Sequence, residues 1–381
     1  MKKILLAQNI VILALLLQGC GSSSSSNTQT PTTSPTTSPS SDNTPTTTTT
    51  VAANEPYYKY AWHLDASNSA LENAGYTINP SADIHIHEAW NVTRGAGVKV
   101  AVIDDGFEVG HEDLQSNIIT AYNADNGSQN VAYSGNDGTH GNTCAGFIVS
   151  PINSIGSVGV SPDSKLIAIK QETNSDANLI KAFEYAKNQG AKVISCSWGT
   201  GQVSQAVEAE MKSLYNAGIT ILFASGNDGR DLDANGIHDE SESAWVIGVG
   251  ASGENNDVTT YSDYGSNIDI LAPGGDLQRS SGILGIDDMG AKGASNQRNL
   301  VNNNYSFTDG TSFACPVAAG VVALMYSVNP SITPKRVREI LIQTTEKVGG
   351  TSLYGSNGFD KSKKRAYGKI NANQAVAAAS L

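Results

Sequence analysis

Residues 165–224 read KLIAIKQETNSDANLIKAFEYAKNQGAKVISCSWGTGQVSQAVEAEMKSLYNAGITILFA. Three short apolar runs (165–169, 192–196 and 219–224) alternate here with two longer stretches that keep a helical period. In the first stretch Leu179, Ile180, Phe183 and Ala186 recur on one helix face and Gly190 supplies the stop; in the second Val203, Val207, Met211 and Leu214 do so and Gly218 ends it. The strand runs are continuously apolar rather than alternating, which predicts burial on both faces. Strand, helix, strand, helix, strand implies a mostly parallel sheet with right-handed crossovers and helices on both faces, a three-layer α/β fold.

Working outward, 98–103 is a further β-branched run, flanked by Gly97 and by Asp104-Asp105-Gly106. Residues 317–325 predict an apolar helix rich in small residues, and Thr333-Pro334 starts another through an N-cap and a proline at the first helical position. In open parallel sheets the site forms beyond the carboxyl ends of the strands. Asp104 directly follows one strand and Asn227 follows another, within Ser-Gly-Asn-Asp-Gly, so both are expected at the same rim.

The chain has 381 residues, 36 acidic against 24 basic, with 39% hydrophobic residues. That length and apolar content suit a large buried core rather than a disordered chain. The net charge of −12 and the lack of a long basic run argue against nucleic acid as a partner.

The ends of the chain differ. Lys2 and Lys3 precede an apolar run ending in Leu17-Gln18-Gly19-Cys20, the pattern of an export leader over residues 1–20. A small residue before Cys20 resembles the lipobox of bacterial lipoproteins, which implies lipidation of Cys20 and anchoring in the bacterial envelope; ordinary secretion with cleavage near Gly19 is the alternative. Of the 29 residues 22–50, 25 are Ser, Thr or Pro, so 21–54 is expected to be a disordered tether, too short and polar to fold as a pro-segment. The fold is expected over 55–381, with no later stretch long enough to span a membrane. With Cys20 set aside, Cys144, Cys196 and Cys315 are an odd number, read as small buried hydrophobes without a disulfide framework or zinc-ligand spacing.

Four segments carry a family resemblance: VAVIDDG at 100–106, HGNTCAG at 140–146, FASGN at 223–227 and GTSFACP at 310–316. They resemble, in order, the signature blocks of the subtilisin-like serine proteases (peptidase S8). The resemblance implies Ser312 as nucleophile, His140 as general base, Asp104 as its orienting carboxylate and Asn227 as an oxyanion donor. Chemistry supports each role. Acyl transfer needs an activated hydroxyl, a base fixed in one tautomer and donors for the developing oxyanion. Ser312 opens an apolar helix, where free backbone N–H groups favour negative charge. A turn-forming asparagine is the bland reading of Asn227. Asn142 departs from the threonine common after His-Gly in the family. His63, His85, His87, His111 and His238 have no comparable context and read as satisfied or exposed. No Gly-x-Ser-x-Gly elbow occurs, and His87-Glu88 and His111-Glu112 lack the second histidine of a zinc protease.

The resemblance also implies calcium. Asp113 and Asn153 match ligands of the strong calcium site of subtilisins, with carbonyls of the 151–157 loop, and Glu55 falls where kexin- and furin-like members place a ligand. Oxygen donors from separate loops suit Ca²⁺, ordinary surface carboxylates being the plain reading. Independently, DLDANGIHDESE at 231–242 fits the EF-hand loop pattern through Asp231, Asp233, Asn235, Asp239 and Glu242; a solvated acidic loop fits equally. Asp105 and Ser197-Trp198-Gly199 resemble substrate-binding positions of kexin-like members, but Gln202 replaces their acidic residue, which puts dibasic cleavage in doubt. Two functions follow: a calcium-stabilised, monomeric serine endopeptidase acting on proteins or peptides, and a catalytically silent protease-like binding module.

Overall fold

Alternation along each strand sorts the core into two layers. On strand β1 (Lys99–Asp104) Val100 and Val102 join one hydrophobic cluster while Ala101 and Ile103 join the other. The same division holds on β3 (Lys165–Lys170), with Leu166 and Ala168 against Ile167 and Ile169, and on β5 (Thr220–Ala224), with Leu222 and Ala224 against Ile221 and Phe223. The sheet is therefore apolar on both sides and must be covered twice.

The computed structural model describes residues 52, 54–135, 140–173, 175–234, 238–293 and 297–381. Seven strands form one sheet in the order β2-β3-β1-β4-β5-β6-β7, every neighbouring pair parallel. The remaining strands are β2 (Ile118–Asn123), β4 (Val193–Cys196), β6 (Ile247–Ser252) and β7 (Ile268–Pro273). Helices α3 (Asp176–Asn188) and α4 (Gln205–Asn216) cover one face, each capped by a serine: Ser175 accepts from the Asn178 N–H and Ser204 from the Val207 N–H. The other face carries α2 (His140–Val149) and α5 (Thr311–Val328). Short α1 (Ile86–Val92), α6 (Pro334–Gln343) and α7 (Ala372–Ala379) complete that layer, and β8 (Ile283–Ile286) pairs antiparallel with β9 (Tyr305–Thr308) beside α2.

The expected strands appear with boundaries moved by a residue, and Thr333 caps α6 by accepting from the Arg336 N–H. Strands β2, β6 and β7 are additions. β2 is an edge strand with partly exposed residues, and β6 reads Ile-Gly-Val-Gly-Ala-Ser, so neither shows a continuous apolar run. One expectation is corrected: α5, at 18 residues, is long and apolar enough to cross a membrane. It is a core helix, in contact with β4, β5, β6 and β7.

From β1 the chain crosses to β2 at the edge of the sheet, returns to β3 beside β1, and then passes to the other side of β1 with β4. A crevice forms where the order reverses, beyond the carboxyl ends of β1 and β4. Ile103 is in register with Cys196, so Asp104 and Ser197 leave adjacent strand ends together.

Candidate active site

Three elements deliver their terminal residues to this crevice. Asp104 is the last residue of β1, His140 the first of α2 and Ser312 the second of α5. The His140 Nδ1 lies 2.7 Å from Asp104 Oδ1. A carboxylate only accepts, so Nδ1 carries the proton and Nε2 is left as the basic nitrogen. Burial opposes a charged ring, but the Asp104 carboxylate and its hydrogen bond outweigh it and hold His140 well above its ordinary value. Asp104 is itself buried; Oδ1 also accepts from the Asp105 N–H at 2.9 Å, and Oδ2 has no hydrogen-bond partner among the described residues.

Ser312 is held by its helix. Pro316 lies inside α5 and has no N–H to donate to the carbonyl four residues back, which is that of Ser312. The Ser197 hydroxyl takes that carbonyl at 2.7 Å and the Cys144 thiol approaches it at 3.4 Å. In return the Ser312 hydroxyl donates to the Ser197 carbonyl at 3.2 Å. Gly310 caps the helix at φ 144°, a backbone conformation that suits glycine.

Asn227 is aimed by Thr311. Its Oδ1 accepts from both the Thr311 N–H and the Thr311 hydroxyl, each at 2.9 Å, which turns Nδ2 the other way. The Ser312 N–H, in the unsatisfied first turn of α5, is the second donor facing the crevice. Ser197, Trp198 and Gly199 line a cavity of about 350 Å³ together with Asn227 and Ser312. A larger cavity of about 690 Å³, between residues 75–80 and Glu254, contains none of these groups.

Asp105 accepts from the Gly141 N–H at 3.0 Å, beside the histidine helix. Burial, then the neighbouring Asp104 charge, push its carboxyl up to about 6. Asn142 joins two loops: its Oδ1 accepts from the Glu108 N–H at 2.8 Å and its Nδ2 donates to Asp288 at 3.0 Å.

The structure brings Glu55, Asp113 and Asn153 together. Glu55 accepts from the N–H groups of Asn153 and Ser154 (2.8 Å each) and of Ile155 (3.0 Å). Asp113 accepts from the Ser157 N–H at 2.9 Å and the Asn153 side chain at 3.1 Å. Both carboxylates are buried, and among the described residues neither pairs with a cation; burial pushes Asp113 up to about 8. Two buried carboxylates, an amide and a loop of carbonyls fit a hard divalent cation.

The 231–242 loop is built otherwise. Lys363 Nζ pairs with Asp233 at 2.5 Å and with Asp231 at 3.4 Å, so an ammonium stands where the EF-hand reading expected calcium. Asp239 and Glu242 form a capping box on the turn at Glu240–Glu242. Asn235 lies outside the described residues, as does Cys20.

Two further expectations change. His63 is fully buried with neither ring nitrogen partnered among the described residues, and burial pushes it down to about 3, so it does not fit the satisfied histidine expected. Cys144, Cys196 and Cys315 are all buried and unbridged, but Cys144 is more than filling: its Sγ lies 3.7 Å from His140 Nδ1, one helical turn along α2.

Fold and site define the class: a parallel-sheet α/β protein with an aspartate, a histidine and a helix-borne serine gathered at the carboxyl rim. The chain belongs to the subtilase family, whose profile matches residues 95–369. It is 33% identical over 266 residues to subtilisin Savinase of Lederbergia lenta, covering 69% of this chain and 88% of the relative. It is 32% identical over 347 residues to a calcium-dependent protease of Trichormus variabilis, covering 83% of this chain and 50% of the relative. The chain thus spans about half the length of that curated relative. Among solved structures, proteases from Pseudoalteromonas arctica PAMC 21717 superpose with a TM-score of 0.70 at 25% identity, over 86% of this chain and 99% of that one.

Proposed function

We propose that the chain is a serine endopeptidase that hydrolyses protein or peptide substrates through an acyl-enzyme on Ser312. The observation that carries the reading is the convergence of Asp104, His140, Ser312 and Asn227 at one rim. With a substrate carbonyl in place, the Ser312 hydroxyl leaves the Ser197 carbonyl and gives its proton to His140 Nε2 as its oxygen attacks. Asp104 stabilises the imidazolium without taking the proton. The oxyanion is met by Asn227 Nδ2 and the Ser312 N–H, a single such donor being worth roughly 3–4 kcal/mol of barrier. His140 then returns the proton to the leaving amine, and water repeats the sequence to free the serine.

Calcium would be held by Glu55, Asp113 and Asn153, pinning the N-terminal arm to the 151–157 loop; the relatives named calcium-dependent proteases support a calcium requirement, and the buried carboxylates support its place. Residues 1–20 would direct export, Cys20 would carry a lipid anchor at the cell envelope, and 21–54 would tether the protease domain. Labelling by a serine-directed fluorophosphonate tests the central claim. Labelling of the folded chain and none of Ser312→Ala is expected; equal absence from both would leave the silent binding module as the reading.

A further inference from the structure

The cavity beside Ser312 and Asn227 has a defined occupant. When a substrate carbonyl carbon meets Ser312 Oγ and its oxygen meets Asn227, the adjoining space of about 350 Å³ receives the side chain of the residue that owns that carbonyl. Asp239 lines this cavity and is only 7% exposed. Its Oδ2 accepts from the Gly201 N–H and its Oδ1 from the Ser241 N–H, each at 3.0 Å. Glu240, in the same turn and buried, accepts from the Thr200 N–H at 2.9 Å and hydroxyl at 2.7 Å. Among the described residues no lysine, arginine or histidine pairs with either carboxylate.

One cation does line the cavity, and it is offset. Arg230 Nη2 lies 3.0 Å from Asp228 and 3.1 Å from the buried Asp263, two carboxylates for one guanidinium. The balance along the wall is therefore negative. Gly199 leaves the Asp239 carboxylate open to the cavity, since a Cβ there would sit 2.4 Å from Asp239 Oδ2. A substrate side chain entering this cavity displaces water from a carboxylate whose hydrogen-bond donors among the described residues are neutral, Arg230 acting on it only at longer range while paired with Asp228 and Asp263. An apolar side chain would leave that charge poorly compensated, whereas a cationic one supplies the missing partner.

We propose that Asp239 makes this cavity select lysine or arginine as the residue preceding the scissile bond. The proposal rests on the peptidase reading above and adds its substrate class. Two fluorogenic peptides that differ only at that residue, arginine against leucine, test it on the calcium-loaded chain. The arginine peptide is expected to show a kcat/KM higher by about tenfold or more. Asp239→Asn should lower kcat/KM for the arginine peptide by about tenfold or more and leave the leucine peptide within about threefold. A leucine preference in the unaltered chain, or an equal loss on both peptides in the variant, overturns the proposal. Because Asp239 also caps a turn, cleavage sites of the unaltered chain on a denatured protein give a second measurement: cuts after lysine and arginine are expected, and cuts without that bias overturn it. A chain inert to both peptides and to a fluorophosphonate would overturn the peptidase reading itself.

Discussion

Ser197 and Ser312 exchange hydrogen bonds across the crevice, each hydroxyl donating to the other's carbonyl, at 2.7 Å from Ser197 and 3.2 Å from Ser312. The exchange has a covalent origin: Pro316 cannot donate to the Ser312 carbonyl, so that acceptor is free for a partner outside the helix. Ser197→Ala should leave it with the Cys144 thiol alone. The expected cost is about 1–2 kcal/mol of stability, read as a lower denaturant midpoint at unchanged slope, together with a fall in kcat as the nucleophile loses its fixed position.

Thr311 acts through Asn227. Both hydrogen bonds that it donates end on Asn227 Oδ1 and leave Nδ2 for the oxyanion, while its hydroxyl oxygen accepts from the Gly226 N–H at 3.2 Å. Asn227→Ala should therefore lower kcat by about 100- to 1,000-fold with little change in KM. Thr311→Val keeps the backbone donor and removes the hydroxyl, so a smaller loss confined to kcat is expected. A rise in KM with kcat preserved would place Asn227 in ground-state binding instead.

What the sequence made legible follows from range. The parallel layers were readable because strands buried on both faces are written as unbroken apolar runs such as Leu166–Ile169, and helix stops because Gly190 and Gly218 stand next to them. The four residues of the proposed active site could be picked out because each lies in a local block of sequence. Partners distant in the chain left no local mark. Lys363 takes the Asp231 and Asp233 that a calcium-loop pattern had claimed, from 130 positions away in the case of Asp233. Asp239 fitted the same pattern, yet the fold turns it into the wall of the cavity beside Ser312. Strand β2 was missed because an edge strand is half solvated and keeps no strong period.

Acidity at the rim sets a pH dependence. His140 works as a base only when neutral, and its proton is held above the ordinary histidine value of 6.5, so kcat/KM should rise with pH through a limb above that point. Asp105, whose carboxyl titrates at about 6, is already charged there and favours the imidazolium. Asp105→Asn removes that charge and should move the acidic limb to lower pH, by about half a pH unit or more. A limb that stays in place would show that Asp104 alone sets it.

Metal removal separates the two acidic clusters. Glu55 and Asp113 are buried together with no cation among the described residues, whereas Asp231 and Asp233 already hold Lys363. A cation present at about 100 times its dissociation constant contributes about 2.7 kcal/mol, and for a domain of this size that amounts to a melting temperature higher by about 4 °C. EDTA should remove this increment from the unaltered chain. In Asp113→Asn the amide keeps an acceptor for the Ser157 N–H but one buried charge is gone, so the metal-free protein should melt no lower than the metal-free parent and should respond little to EDTA or added calcium. Asp233→Asn should lose the Lys363 pair while keeping the full EDTA response. If Asp233→Asn abolished that response and Asp113→Asn preserved it, the calcium would belong to the 231–242 loop, and the arm around Glu55 would be held by its backbone hydrogen bonds alone.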